Sequence, residues 1–433
     1  MRRISDLLRD GGHVTVCVPD HYGRLMGKTR PAADWPRLAV EGLAMPDFHL
    51  VCGVEGRPLE GFAVSGVEQG FRNGRLMPDA DAAFASPNED ATVIVLAVAE
   101  TSDGRPVPVA PRAVLGAQLD RLANAGLTAR FASELEFYLF EGDDGARRPF
   151  HATHGDNDVL VTSLYAPFIS DLGRHLSLSD MAPEQVQGEG GAGQLEMNLP
   201  PAPPMTAADR HVAFKHVVKA RALAQGCVAS FMARLDPEQA GSGGHIHLSL
   251  RNRDGKNALG GTEKLSALGA AFVGGLVAHT PALTLMHAPL ANSYRRLVPM
   301  SYTPLAATWG YDNRTAMVRI VVGSDGPRLE MRLPGADVNP YHSYAAILAA
   351  GLAGVEAGLD PGPAKQGSRD PQGGPELPAD LTEAVTCFAA SELAHRAFGA
   401  AVHDHILAHA RAELAATRRA VTSWEIARGL THA

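Results

Sequence analysis

The stretch Glu189-Gly-Gly-Ala-Gly-Gln-Leu-Glu196 places two carboxylates at the ends of a glycine-rich bend, between mostly apolar or small segments. The second acid runs directly into Met197-Asn198-Leu199. Folding alone does not ask for acids here, because a buried carboxylate is costly unless it is paired or bound to a metal. Two hard oxygen ligands on adjoining backbone suit a divalent cation. If further acids join them, the chain is a metal-dependent enzyme, so the question becomes where those acids lie.

Three more segments carry such groups. Glu134 and Glu136 lie two apart in the alternating run from Thr128 to Phe140, and His245 and His247 do the same in a strictly alternating run from 245 to 250. Residues two apart on a strand face the same way. Glu330 falls between Arg328 and Arg332 on a third strand-like run, with the two arginines expected together and alternating with the acid. Taken singly, each piece has an ordinary explanation: a solvated sheet face, a charge ladder, a loop. Their conjunction in one chain is what points to a site.

Composition narrows the class. The chain has 433 residues, 45% hydrophobic and 20% charged, which fits a soluble globular protein with a substantial core. A net charge of -8 gives no basis for binding nucleic acid or an anionic membrane. Arg2 and Arg3 are followed by no apolar signal core, and no window of about 18 uninterrupted apolar residues predicts a membrane span. The nearest approach, Leu268 to Leu285, is broken by glycines, His279 and Pro281. Four cysteines without a CxxC pair fit a reducing cytoplasm.

Strands are predicted at 13–18, 92–98, 128–140, 245–250, 315–322 and 327–333, and helices at 112–125, 207–229, 341–356 and through most of 380–429. Residues 103–111 read as a linker, and the Gly/Pro-rich segment 361–378 as a flexible one. Clustered strands and helices without regular alternation predict an α+β fold.

The full set of motifs resembles the glutamine synthetase family. Glu134-Leu-Glu136-Phe137, Glu189 to Glu196, Gly241-Ser-Gly-Gly-His245-Ile-His247-Leu-Ser249, Asn292-Ser-Tyr-Arg-Arg296, Trp309-Gly-Tyr-Asp-Asn-Arg314 with Arg319, Arg328-Leu-Glu330-Met-Arg332 and Asn339-Pro-Tyr341 follow in the family's order and spacing. The C-terminal Val421-Thr-Ser-Trp-Glu425 matches more loosely. The resemblance implies a small β-grasp N-terminal domain at 1–105. A catalytic domain with a curved, mainly antiparallel sheet and helices would follow at 106–433. It also implies an ATP-dependent carbon–nitrogen ligase of nitrogen metabolism, acting through γ-glutamyl phosphate. Two or more Mg²⁺ (or Mn²⁺) ions would be needed. Carried over by residue, Glu136, Glu189 and Glu196 would hold one metal, and Glu134, His245 and Glu330 the second. Arg314 would meet the transferring phosphoryl group, with Arg314 and Glu330 as the catalytic pair. Glu184, His247, Ser249, Arg319 and Arg328 would serve ATP. Gly241, His245, Arg296, Arg332 and Tyr302 would line the substrate site. A homo-oligomer is implied, a double-ring dodecamer with active sites between subunits.

Three departures bear on the substrate. Tyr302 stands six residues after Arg296, where the ammonia-using enzymes carry a flap glutamate. The N-terminal block matched to Gly61–Gly66 carries no acid at Ser65. Ammonium needs an anionic cage, whereas an aromatic offers an apolar or cation–π surface to a substituted amine. The Trp309–Thr315 segment also resembles the γ-glutamyl-polyamine and γ-glutamyl-amine ligase branch. The acceptor expected is an organic amine: a polyamine, a monoamine or ethanolamine. The alternatives are glutamine synthetase proper and a non-catalytic structural relative. The third departure, Ala240, replaces the asparagine the family uses against glutamate, so the donor could be a relative of glutamate. No tyrosine follows Tyr344, which removes tyrosyl adenylylation from the 361–378 loop.

Overall fold

The computed structural model describes residues 1–88, 91–142, 148–262, 264–367 and 373–432. Its strands are β1 (His13–Pro19), β2 (Leu25–Pro31), β3 (Leu43–Pro46), β4 (Asn73–Ala85), β5 (Thr92–Glu100), β6 (Thr128–Glu141), β7 (Arg148–Pro149), β8 (Gln185–Gly188), β9 (Gln194–Asn198), β10 (Cys227–Ser230), β11 (Gly244–Arg251), β12 (Trp309–Tyr311), β13 (Val318–Gly323) and β14 (Gly326–Met331). The first five form a sheet in the order β2-β1-β5-β4-β3, with β1 and β5 parallel at its centre. That order is the β-grasp arrangement. β5 is buried along most of its length, which explains its unbroken apolar run.

The other strands form a nine-stranded sheet with the path β12-β13-β14-β11-β6-β9-β8, while β7 and β10 pair with the outer half of β6. All its pairings are antiparallel except β12 with β13. The fold is α+β. Strand β6 is the hinge of the architecture: 14 residues long, it pairs with β11 on one side and with β9 on the other.

Helix Pro204–Ala224 covers this sheet, with Phe214 edge-on to Phe137 at 6.4 Å. The helix expected through 229 stops earlier. Gly226 takes a left-handed conformation (φ 69°), and Cys227–Ser230 is released to pair with Tyr138–Glu141 of β6. An unpaired edge of β6 competes for these residues, and sheet pairing overrides local helix propensity.

Helix Ala267–Leu283, with the single turn to Met286, is long and apolar enough by length and composition to cross a membrane. In the fold it is a core helix packed against helix Pro340–Ala357. The two backbones touch at Gly275 and Gly354; a Cβ on Gly275 would lie 2.1 Å from the Ala350 carbonyl oxygen, so only glycine permits the approach. Asn339 caps helix Pro340–Ala357 by accepting from the Tyr341 N–H at 3.1 Å. Its amide nitrogen donates to the His21 carbonyl at 2.8 Å, tying the five-stranded sheet to the catalytic helices.

Candidate active site

Register brings the predicted acids together. Glu136 lies directly across from Glu196, His245 across from Glu134, and His247 across from Glu330. Four neighbouring strands, β9, β6, β11 and β14, thus present Glu196, Glu134, Glu136, His245, His247 and Glu330 on one face. Ile246, Leu248 and Leu250 point the other way into the core. The glycine bend after β8 adds Glu189, whose carboxylate accepts from the Gln187 amide at 3.0 Å.

Within this face the groups fall into two sets. In the first, one ligand atom each from Glu134, His245 and Glu330 lie within 4.8 Å of one another. His245 Nδ1 is 2.6 Å from Glu134, and His247 Nε2 is 3.3 Å from its other oxygen. Burial works against the charge on Glu134, but these hydrogen bonds outweigh it and hold the carboxyl well below its ordinary range. Glu330 is also held low against burial, chiefly by the Arg332 charge.

The second set is Glu136, Glu189 and Glu196. Burial raises Glu136 despite Arg296 beside it. Burial and then Glu136 push Glu189 up to about 7. Burial, with Glu134, Glu136, Glu189 and Glu330 around it, pushes Glu196 up to about 10. Such mutually repelling acids fit a bound divalent cation, which would restore each of them to the charged form. Two residues of these same strands, Asn198 and His247, each keep a buried atom, Oδ1 and Nδ1, without a protein partner.

Side chains that the motif reading left without a role position these groups. Gln194 donates to Glu136 at 3.0 Å and to the Gly241 carbonyl at 3.1 Å, and Asn198 donates to Glu134 at 3.1 Å. Gly243 donates its N–H to Glu136 at 2.8 Å, and a Cβ there would sit 2.7 Å from the Glu136 carboxylate. Asp312 receives Arg319 Nε at 3.0 Å. Its signal was available in the Trp309–Arg314 block; that of Gln194 was its place inside the bend.

The arginines divide by depth. Arg296 and Arg332 are buried. Arg296 donates to the Leu333 carbonyl at 3.0 Å and contacts His245 Nε2 at 3.3 Å; burial lowers its pKa to about 10. Arg332 pairs with Glu330 yet keeps its Nε without a partner. Arg319 donates to the other Glu330 oxygen at 2.8 Å. The expectation that Arg328 and Arg332 lie together apart from Glu330 is therefore corrected: residues two apart share a face, and Glu330 bonds Arg332 directly. Arg328 is exposed farther along the same strand.

Arg314 is exposed and lines a 380 Å³ cavity with Tyr311, Asp312, Asn313, Lys365 and Gln366. The Gly/Pro-rich segment forms its other wall and is not a free linker at its described ends. Lys365 N donates to the Trp309 carbonyl at 2.8 Å, Asn313 donates to the Lys365 carbonyl at 3.2 Å, and Leu377 N donates to the Leu305 carbonyl at 3.0 Å. Residues 368–372 lie outside the described residues.

Glu184 is exposed, immediately before edge strand β8, and Ser249 lies on the same strand face as His245 and His247. Tyr302 is half exposed with a left-handed backbone (φ 60°) in the loop after Arg296. Ser65 is not without an acid: its hydroxyl bonds the carboxylate of Asp47, which sequence distance concealed.

A sheet that gathers carboxylates, histidines and arginines on one face suits an enzyme that handles anionic substrates with divalent cations. The glutamine synthetase catalytic-domain profile matches residues 108–429. The chain belongs to the glutamine synthetase family and is an ATP-dependent carbon–nitrogen ligase. Family members use divalent metals and ATP. The chain is 33% identical to the γ-glutamylethanolamide synthetase of Streptomyces coelicolor, over 96% of this chain and 92% of that one. It is 29% identical to the glutamate–isopropylamine ligase of a Pseudomonas species, over 91% and 89%. A solved structure of GmaS in complex with ADP superposes with a TM-score of 0.86 at 31% identity, covering 97% of both chains.

Proposed function

We propose that this ligase joins the γ-carboxylate of glutamate to an organic amine, such as ethanolamine, a small monoamine or a polyamine. The single observation that carries the reading is Tyr302 at the flap position, supported by relatives whose names specify ethanolamide and isopropylamine products or substrates. Asp47 stands beside Ser65, so the N-terminal sheet's loops do carry an acid and the case against ammonia rests on Tyr302.

Glu136, Glu189 and Glu196 would hold one divalent cation and Glu134, His245 and Glu330 another, and Mg²⁺ bound there would supply charge neutralisation for a triphosphate. Arg332, with its unpartnered Nε, and Arg296 bind the carboxylates of glutamate. Glu330 keeps Arg319 and Arg332 aimed by accepting from both. Arg314 meets the transferring phosphoryl group from the cavity wall, while Glu184, His247, Ser249, Arg319 and Arg328 border the nucleotide. The γ-carboxylate oxygen attacks the γ-phosphorus and ADP leaves. The amine nitrogen then attacks the acyl carbon, phosphate departs, and the amine proton passes to a base. Residues 1–105 are taken as the N-terminal domain and 106–433 as the catalytic one. A cytoplasmic homo-oligomer, with sites between subunits, is the setting proposed from the family and the cysteine usage.

The test is phosphate release by the purified protein with ATP, Mg²⁺ and glutamate across ammonia, ethanolamine, alkylamines and polyamines. Turnover with an organic amine, shifted toward ammonia by Tyr302→Glu, is the expected result. Ammonia-dependent turnover alone would instead identify a glutamine synthetase proper. No phosphate release with any amine would favour a different donor or a non-catalytic relative.

A further inference from the structure

Separate from the acidic face, a second cluster of ligating side chains is buried at the seam between the five-stranded sheet and the C-terminal helix Glu392–Arg419. His21 lies in the turn between β1 and β2, and His405 and His409 lie one helical turn apart on that helix, so they share a face. All three are at most 6% exposed. One ring nitrogen from each falls within 4.8 Å of the others. His342, from the first turn of helix Pro340–Ala357, stands with its ring 5.0 Å from His21.

Two observations separate this cluster from ordinary aromatic packing. First, His21 Nδ1 and His409 Nδ1 are both buried without any hydrogen-bond partner. A buried polar atom left unmatched needs an explanation, and phenylalanine would fill the same space without that cost. Second, His409 is oriented from behind: its Nε2 donates to the Leu50 carbonyl at 3.1 Å, which leaves Nδ1 as the lone-pair atom. A backbone carbonyl holding the far N–H is the usual support of a metal-bound imidazole. Phe62, at 4.7 Å from the His409 ring, walls the cluster from water. Arg24, whose charge acts on His21 and His409, is paired with Asp20 at 2.7 Å. Burial also keeps the rings neutral, the form that binds metal, with His409 lowered to about 3.

We propose that His21, His405 and His409 form a separate metal site for a borderline divalent ion of the zinc type, which staples the β1–β2 turn to the C-terminal helix. Three imidazoles with no carboxylate select such an ion over Mg²⁺, which prefers oxygen. Zinc–nitrogen bonds of about 2.0–2.1 Å require the ligating atoms to draw to about 3.4 Å apart in a tetrahedron. Parallel rings aim their in-plane lone pairs side by side, so binding requires the His21 and His409 rings, stacked at 3.7 Å, to turn out of that stacking until both lone pairs converge. Since the ligands come from opposite ends of the chain, the ion acts on stability rather than on turnover.

The full-length protein is stripped with a chelator, loaded with zinc under excess Mg²⁺, desalted and assayed for bound metal by plasma mass spectrometry. The unmodified chain is expected to hold one more zinc than His409→Gln, whereas a Glu134→Gln/Glu330→Gln variant keeps that zinc. Equal zinc in the unmodified chain and His409→Gln, or its loss only in the acid-site variant, overturns the proposal. Cobalt loading of the unmodified chain gives a reading that does not depend on how the variant folds. A tetrahedral visible spectrum persisting under excess Mg²⁺ supports the site, and an octahedral spectrum or none overturns it. Chelation should lower the melting temperature of the unmodified chain; no change overturns the stapling role.

Discussion

The acidic face of the nine-stranded sheet and the histidine cluster at the C-terminal seam are both buried groups of potential ligands, yet burial acts on them with opposite sign. Among the carboxylates, removal from water pushes Glu189 and Glu196 up, toward the neutral acid. Among the imidazoles it pushes His21, His342, His405 and His409 down, again toward the neutral ring. For the carboxylates neutrality means holding a proton that a cation must displace. For the histidines it means the lone pair is already free. One site must therefore give up protons before it is filled; the other already offers lone pairs that the fold leaves without a partner.

The sharpest way to break this contrast is at Glu330, which serves both the metal set and the two arginines. Glu330→Ala should reduce turnover by at least about a thousandfold, since the effects it organises are each worth several kcal/mol. The same substitution should leave cooperative unfolding intact, as followed by circular dichroism. Unchanged activity would remove the acidic face from catalysis.

The next largest effect is on stability in metal-free protein. Histidines whose folded pKa lies below the unfolded value near 6.5 give stability that is complete above that pH. It is lost as the pH falls toward about 4 for His342 and about 3 for His409. Carboxylates whose folded pKa is raised behave in reverse: stability declines as pH rises from about 4.5 through about 7 for Glu189 and on toward about 10 for Glu196. Each limb should amount to a few kcal/mol, on the order of 1.4 kcal/mol for every tenfold change in proton affinity on folding. Denaturant titrations across pH should show a maximum between the limbs. Mutating His342 to Phe should flatten only the acid limb; flattening of both would mean the clusters are coupled.

A smaller effect concerns filling. Mg²⁺ must displace the protons of both Glu189 and Glu196, so its affinity should rise most steeply below about pH 7 and then by about tenfold per pH unit toward about 10, where only the Glu196 proton is left. Calorimetry in buffers of different ionisation enthalpy would count the released protons, and a pH-independent affinity would show that neither acid is a ligand.

Much of this was legible in the sequence because the strands that carry the acids are long and keep a strict two-residue period. β6, β11 and β14 could be drawn from Thr128, His245 and Pro327 onward, and the motif order supplied the acidic partners. The edge strands β8, β10 and β12 could not, being three or four residues long, and Cys227–Ser230 was absorbed into the preceding helix. Sequence gives periodicity but not register, so only the fold shows Glu136 opposite Glu196. The Asp47–Ser65 contact and the histidine cluster are invisible for another reason. Their members approach across large separations, and a lone His21 in a turn has no periodic context. The spacing of His405 and His409 on one helix face was the single available hint.

The stitching of the 361–378 segment has a consequence for how this enzyme can change over generations. Its near end is fastened at Lys365 to Trp309 and Asn313, beside Arg314, and its far end at Pro375 and Leu377 to Ala307 and Leu305, just before that strand. An insertion between the two fastenings adds only a logarithmic closure cost, about 0.6 kcal/mol per doubling of length. Length can therefore change in a short, bracketed piece of chain while the wall that carries Arg314 stays insulated from the experiment.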